Sequence, residues 1–248
     1  MNTPLRTPER SSPGRFPTTR WSRVVAAQDL AAPEAKDALA TLCDAYWYPI
    51  YAFVRRHGHS PEAAQDLTQE FFTYILERDL FAKADPSLGR FRTFLRTVCS
   101  RQLADHRDRN NACKRGGGRP ALSIDVRDAE GRYGREPAHD LTAERIFNRS
   151  WALTLLDRVL DRLRREYDDA GRVATFEELQ TALTRLPETD SYATIAGRLG
   201  TSEGAVRVAV HRLRRRYGTL LRQEIAATVD DPDEVDDEIR SLFAALEE

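Results

Sequence analysis

The stretch YATIAGRLGTSEGAVRVAVHRLRRRY, residues 192–217, contains two helical patterns separated by a glycine. In the first pattern Ile195 and Leu199 recur at helical spacing, with small residues between them. Gly200 follows, and glycine readily takes the left-handed backbone conformation that ends a helix. The first part of the stretch therefore predicts a helix that closes in a tight turn.

The second pattern separates apolar side chains from cationic ones. Thr201 or Ser202 can cap its first turn, and Glu203 suits the positive end of its dipole. One side carries Val206, Val210, Leu213 and Tyr217, and the other carries Arg207, His211, Arg214 and Arg215. Two helices joined by a short turn, with cations on the second, are typical of a helix-turn-helix that reads the major groove. The alternative is a surface hairpin with solvated arginines, which the scarcity of acidic neighbours disfavours.

The rest of the chain shows the same helical periodicity. Apolar residues recur at intervals of three and four positions, and no segment alternates apolar and polar residues over the length of a strand. Glycines cluster only at Gly116–Gly118. We predict an all-α protein with two helical domains joined by a flexible linker. The second domain contains the helix-turn-helix. The predicted segments are a disordered N-terminal tail at 1–20, a first domain at 21–110, the linker at 111–140, a second domain at 141–229 and an acidic C-terminal helix at 230–248.

Composition and motifs disfavour several classes of protein. No apolar run reaches the ~18 residues of a membrane span, and the first 19 residues lack a secretory signal, so we expect a cytoplasmic protein without a membrane partner. The three cysteines are far apart and form no CxxC pair, which predicts reduced thiols and no metal site. Phosphate-loop, GxSxG and HExxH motifs are absent, so we expect no catalytic residue, no enzyme and no cofactor.

Charge is segregated along the chain although the formal net charge is only −1. Residues 90–119 contain nine cations and two acids, for a net +7, and residues 223–248 contain one cation and ten acids, for a net −9. In the basic segment the aromatics Phe91 and Phe94 interleave with the arginines. Such a pattern can neutralise phosphates and stack an unpaired base, although core packing is the commoner role of each aromatic.

A third motif, QDLTQEFFTYILER at residues 65–78, combines an apolar face with an acidic one. The apolar face carries Leu67, Phe71 and Ile75, and the acidic one carries Asp66, Gln69, Glu70, Thr73 and Glu77. Taken alone, such a stripe is more often a solvated surface than a docking site.

Three motifs together resemble the extracytoplasmic-function sigma factors of bacterial RNA polymerase. They are DLTQEFF at 66–72, FRTFLRTVCSRQLADHRDR at 91–109 and YATIAGRLGTSEGAVRVAVHRLRRR at 192–216. The resemblance implies a helix that docks on the polymerase clamp, a helix that captures the melted minus-ten element and a helix-turn-helix that reads the minus-thirty-five element. It implies core RNA polymerase and promoter DNA as partners, and it leaves an anti-sigma factor or a Ser/Thr kinase open as a regulator. A free-standing helix-turn-helix regulator is the alternative, and it would leave the first two motifs without a role.

The resemblance implies three groups of site residues. Polymerase contacts are expected at Asp66, Leu67, Gln69, Glu70 and Phe72. Minus-ten contacts are expected at Arg90, Arg92, Phe94, Arg96, Arg101, Asp105 and Arg107, with the loop at 83–90 as part of the capture site. Minus-thirty-five contacts are expected at Ser202, Glu203, Arg207, Val208, His211, Arg212, Arg214 and Arg215.

Two regulatory hypotheses concern features outside these groups. Thr68 lies beside Asp66 and Glu70, so its phosphorylation would add about −1.5 to −2 charges to the expected docking face. After Pro232, apolar residues recur at helical spacing behind a run of acids. We expect this helix to dock on the second domain near 212–216 and compete with DNA there, with completion of that domain's core as the alternative.

Overall fold

The computed structural model describes residues 33–78, 80, 84, 89–112, 126–134, 141–184, 189–226, 229 and 232–247. These residues form ten α-helices and a 3₁₀ turn and contain no strand, which confirms the all-α prediction. The predicted N-terminal tail at 1–20 lies outside the described residues. The helices are α1 Pro33–Arg56, α2 Pro61–Glu77, α3 Phe91–Ala112, α4 Val126–Tyr133, α5 Ala143–Asp169, α6 Val173–Leu179, α7 Thr181–Thr184, α8 Thr189–Leu199, α9 Glu203–Ala226 and α10 Val235–Glu247, and the 3₁₀ turn is Pro232–Glu234.

Local sequence signals explain where the principal helices begin. The Ser60 hydroxyl accepts a hydrogen bond from the Ala63 amide at 3.2 Å, and Pro61 occupies the first turn of α2. The Thr142 hydroxyl accepts from the Arg145 amide at 3.3 Å and caps α5 in the same way. Each cap satisfies an amide that the first helical turn leaves without a partner.

The core is centred on α1 and α5, which pack against each other in antiparallel directions. Phe53 meets Phe147 edge to face with ring centroids 6.1 Å apart, and Arg158 donates to the Thr41 carbonyl oxygen at 3.3 Å. The buried side chains of both helices belong to one continuous apolar cluster, which also includes α2, α3, α9 and α10. Helices from both sides of the predicted linker therefore share one core.

Part of the predicted linker at 111–140 is helical and fixed to the core. The Glu130 carboxylate, on α4, accepts hydrogen bonds from Tyr51 Oη at 2.5 Å and from Arg55 Nε at 2.7 Å. These contacts with Arg55 and Tyr51 lower the pKa of Glu130, although partial burial acts in the opposite direction. The structure differs here from the prediction of a flexible connection, because α4 packs on α1 and α2.

After Pro232 the acidic tail forms the 3₁₀ turn and then α10. Asp236, Asp237 and Glu238 lie in the first turn of α10, where the helix dipole favours carboxylates. Leu242 is fully buried, and α10 packs against both α5 and α9. The tail is therefore part of the packed body.

Candidate functional site: an acidic helix face and two cationic surfaces

The acidic face of α2 is exposed as the motif predicts. Its exposed members are Glu62, Asp66, Glu70, Thr73 and Glu77, and Gln69 is half-buried beside them. The opposite side of the helix packs Leu67, Phe71 and Ile75 into the core. Burial of one side holds the helix so that the carboxylates of the acidic face point to solvent in a row.

The structure differs from the sequence prediction at three residues of this helix. Leu67 and Phe72 are buried in the core, so they support α2 from within and do not lie on its exposed surface. Thr68 is fully buried, and its hydroxyl donates to the Ala64 carbonyl oxygen at 2.7 Å. The assignment of Thr68 to an exposed face was wrong, because the side chain is buried. A kinase could reach this hydroxyl only if α2 left the core.

The exposed side of α3 carries a second set of predicted contacts. Arg101, Asp105 and Arg107 are exposed, and Arg96 is half-buried. Phe94 is also half-buried and stacks on Phe91, with ring centroids 6.0 Å apart. In the predicted capture loop at 83–90, the structure describes only residues 84, 89 and 90.

Two predicted minus-ten contacts, Arg90 and Arg92, are engaged by the C-terminal helix. Arg92 is only 8% exposed, and its guanidinium lies 4.3 Å from the centre of the Trp151 ring and pairs with the Glu238 carboxylate. Burial and the neighbouring Arg90 charge lower the pKa of Arg92 to about 10. Arg90 places Nε 3.0 Å from Glu238 Oε2 and donates to Ser241 Oγ at 3.0 Å. The sequence prediction requires both arginines to face solvent freely, and neither of them does.

The helix-turn-helix geometry is formed by α8 and α9. Gly200 has a φ of +61°, and the amide of Thr201 donates to the Ala196 carbonyl oxygen at 3.0 Å, which closes the end of α8. The Ser202 hydroxyl then accepts from the Ala205 amide at 3.3 Å and caps α9. The side chains buried between these helices and their supports include Ile195, Ala196, Val206, Val210 and Leu213.

A cationic surface lies on the outer side of α9, and we call it the recognition surface after the role that the sequence predicts for it. Its exposed members are Arg207, Val208, His211, Arg212 and Arg215, and the exposed Ser202 and Glu203 lie at the start of the helix. Arg207 extends over the Tyr192 ring at 4.9 Å and reaches Glu203 at 3.6 Å. Val208 is 50% exposed, which is unusual for a large apolar side chain in the described residues.

Two further arginines of α9 contact neighbouring helices and hold α9 in place. Arg214 donates from Nε and Nη2 to the Ala182 carbonyl oxygen at 2.8 and 2.5 Å, so this predicted DNA contact instead ties α9 to α7. Arg216 forms a bidentate pair with Glu166, with distances of 2.7 and 2.6 Å, and this pairing lowers the pKa of Glu166. The arginines of α9 are thus divided between exposed side chains on its outer side and side chains that hold α9 to neighbouring helices.

We expect Gly200→Ala to lower the free energy of unfolding by about 1–2 kcal/mol, because an L side chain is strained at positive φ. A Cβ at Gly200 would meet no atom within 4 Å, so the cost is conformational. Gly197→Ala is the matched control, since Gly197 lies inside α8 with equally open space. It should instead stabilise by about 0.5–1 kcal/mol. Chemical denaturation of both variants checks the difference, and shifts of the same sign would contradict the turn assignment.

Membrane spans and metal sites are two other possible features of the described residues. None of the described helices is both long and apolar enough to cross a lipid bilayer. Over the same residues, no group of three or more His, Cys, Asp and Glu side chains is arranged to hold a metal ion.

Residues 44–113 match the family model described as sigma-70 region 2. The matched segment begins within α1 and contains the acidic face of α2 and the exposed cations of α3. The recognition surface of α9 lies outside it. Comparisons with curated proteins and with solved structures gave no match.

Proposed function

We propose that this chain is a sigma factor of the sigma-70 family, a class of non-enzymatic transcription initiation factors that bind RNA polymerase. It belongs to the extracytoplasmic-function group and reads promoters through α3 and α9. The observation that carries the proposal is the family match over α2 and α3, joined in one chain to the helix-turn-helix of α8 and α9. A dissociable subunit of this kind would supply promoter discrimination to a polymerase that already holds the machinery for RNA synthesis.

The acidic face is the proposed polymerase contact. Asp66 and Glu70 are one helical turn apart and exposed, while the residues beneath them hold α2 rigidly in the core. A row of carboxylates on a fixed helix suits a basic partner surface, since complementary charge gives specificity and a fast encounter. Gln69 lies at the edge of the same face.

The exposed side of α3 is the proposed contact with the separated minus-ten strand. Arg96, Arg101 and Arg107 can neutralise phosphates, which makes binding depend on salt. A half-buried aromatic, Phe94, is available at the start of the helix to stack a base. Holding a base outside the duplex stack costs a few kcal/mol, so the cations and the aromatic must offset that cost together.

The recognition surface of α9 is the proposed contact with upstream duplex. Arg207 and His211 would face base edges, and the exposed Val208 offers an apolar contact that suits a thymine methyl group. Arg212 and Arg215 would contact the phosphate backbone and fix the register of the helix. Arg214 and Arg216 support this arrangement through their contacts with α7 and α5.

We expect Arg207→Ala to relax base preference at one or two upstream positions, at a cost of about 1–3 kcal/mol for a lost bidentate base contact. Arg215→Ala should instead weaken binding to all sequences alike, because a phosphate contact carries no sequence information. Both side chains are exposed, so the fold is not at risk. Selection on a promoter library measures the two effects, and equal losses across all sequences for Arg207→Ala would place it on phosphate.

The competing proposal is a free-standing helix-turn-helix regulator, and footprinting separates the two. We expect a clear promoter footprint only when core polymerase and the chain are both present, since the acidic face would have no role otherwise. Protection of the upstream site at nanomolar concentrations of the chain alone, unchanged by polymerase, would favour the regulator.

A further inference from the structure

The first turn of α10 buries a carboxylate against two arginines at the start of α3. Glu238 is 1% exposed and pairs with Arg92, which is itself 8% exposed, and with the more accessible Arg90. Removing charges from water is costly unless they are paired with good geometry. A surface helix that only completed a core would not need to carry a carboxylate to this depth.

Other contacts fix α10 around this buried pair. Ser241 accepts a hydrogen bond from Arg90 at 3.0 Å, and Arg149 on α5 donates to the Leu246 carbonyl oxygen at 2.8 Å. The Trp151 ring packs against the Arg92 guanidinium. The contacts therefore hold the start of α3, the first third of α5 and the length of α10 together.

We propose that α10 is an intramolecular competitor of promoter DNA, in which Glu238 occupies Arg90 and Arg92 in the free protein and must leave before a promoter strand can bind them. The inference rests on the proposed function, which assigns these arginines to the minus-ten strand. A guanidinium that is already paired with a carboxylate cannot also form the bidentate contact that a phosphate needs. The two occupants exclude each other at the same cations.

The site of competition differs from the one that the acidic tail led us to expect. Near α9 the tail forms an exposed ion pair between Asp236 and Arg222 at 2.7 Å, and exposed pairs of this kind contribute little. The recognition surface of α9 remains exposed. The competitor therefore acts on the proposed minus-ten contacts and leaves the proposed duplex contacts open.

Charge reversal at Glu238 tests the proposal. Glu238→Lys should drive α10 away from the arginines, whereas Asp236→Lys changes the net charge equally at an exposed position two residues away. The probe is a fluorescent single strand carrying the minus-ten sequence of a promoter mapped by chain-dependent transcription. Because binding to the closed form is reduced by the fraction of open molecules, we expect Glu238→Lys to bind at least tenfold more tightly than Asp236→Lys at the same salt concentration. Equal affinities in two folded variants would overturn the proposal.

A measurement on the unaltered chain covers the case in which Glu238→Lys does not fold. Saturation with the same strand should speed amide hydrogen exchange in residues 235–247, since α10 must leave its site. Unchanged exchange in the saturated complex would overturn the proposal. Transcription by core polymerase with the unaltered chain separates a failure of the proposed function from a failure of this inference. If no chain-dependent transcription is seen, the proposed function fails and this inference fails with it. If transcription is seen while α10 stays in place, only the competitor proposal is wrong.

Discussion

Reversing two charges on the acidic face, with Asp66→Arg and Glu70→Arg together, is expected to abolish capture of the chain by core RNA polymerase. Both side chains are exposed and lie on one face of α2, so the substitution places cations against the basic surface that we propose as the partner. Like charges brought together at an interface cost several kcal/mol, which corresponds to at least a hundredfold loss of affinity. The helix should stay folded, because its buried side is unchanged.

A matched control reverses two exposed carboxylates elsewhere. Asp161→Arg with Asp168→Arg makes the same change of net charge on α5, away from the acidic face. Pull-down by core enzyme should retain this control and lose the α2 variant, with circular dichroism to check that both are folded. If the two variants bind core polymerase equally well, the acidic face is not the docking surface.

Trp151→Ala is expected to lower the free energy of unfolding by about 3–5 kcal/mol. Trp151 is buried on α5 within the cluster that joins both halves of the chain, and its ring also covers the Arg92 guanidinium. The truncation therefore leaves a cavity and exposes a buried cation at the same time.

Val208→Ala is the control for this prediction, because Val208 is half exposed on α9 and its truncation should change stability by less than about 0.5 kcal/mol. Urea denaturation, followed by two independent probes, measures both variants. A loss below 1 kcal/mol for Trp151→Ala would contradict the shared core of α1 and α5.

The helical content and the exposed acidic face could be predicted because both follow from the spacing of apolar residues. That spacing shows which side of a helix is buried but not which helix covers it, so the pairing of α1 with α5 could not be foreseen. The same limit applies to α4, whose eight residues look like linker until Glu130 meets Tyr51 and Arg55.

Some residues whose exposure was wrongly predicted did carry a sequence signal of their burial. Thr68 lies four residues after Ala64, three before Phe71 and seven before Ile75, which is the buried stripe of α2. If position 68 had been assigned to the apolar face, the burial of Thr68 would have been predicted.

Arg92 gave a similar signal, because it lies three residues before Leu95 and seven before Cys99, which are both buried in α3. The partner that makes its burial possible, Glu238, is distant in sequence and looks like one acid among many. A buried ion pair between distant residues leaves no periodic pattern, so only the fold could reveal it.

The most direct test of the account is transcription by core RNA polymerase on fragments of the genome, with and without the chain, followed by mapping of RNA start sites. We predict defined start sites that require the chain, disappear with the Asp66→Arg, Glu70→Arg variant and persist with the Asp161→Arg, Asp168→Arg control. Start sites that do not depend on the chain, together with tight duplex binding by the chain alone, would contradict the proposal that it is a promoter-reading sigma factor.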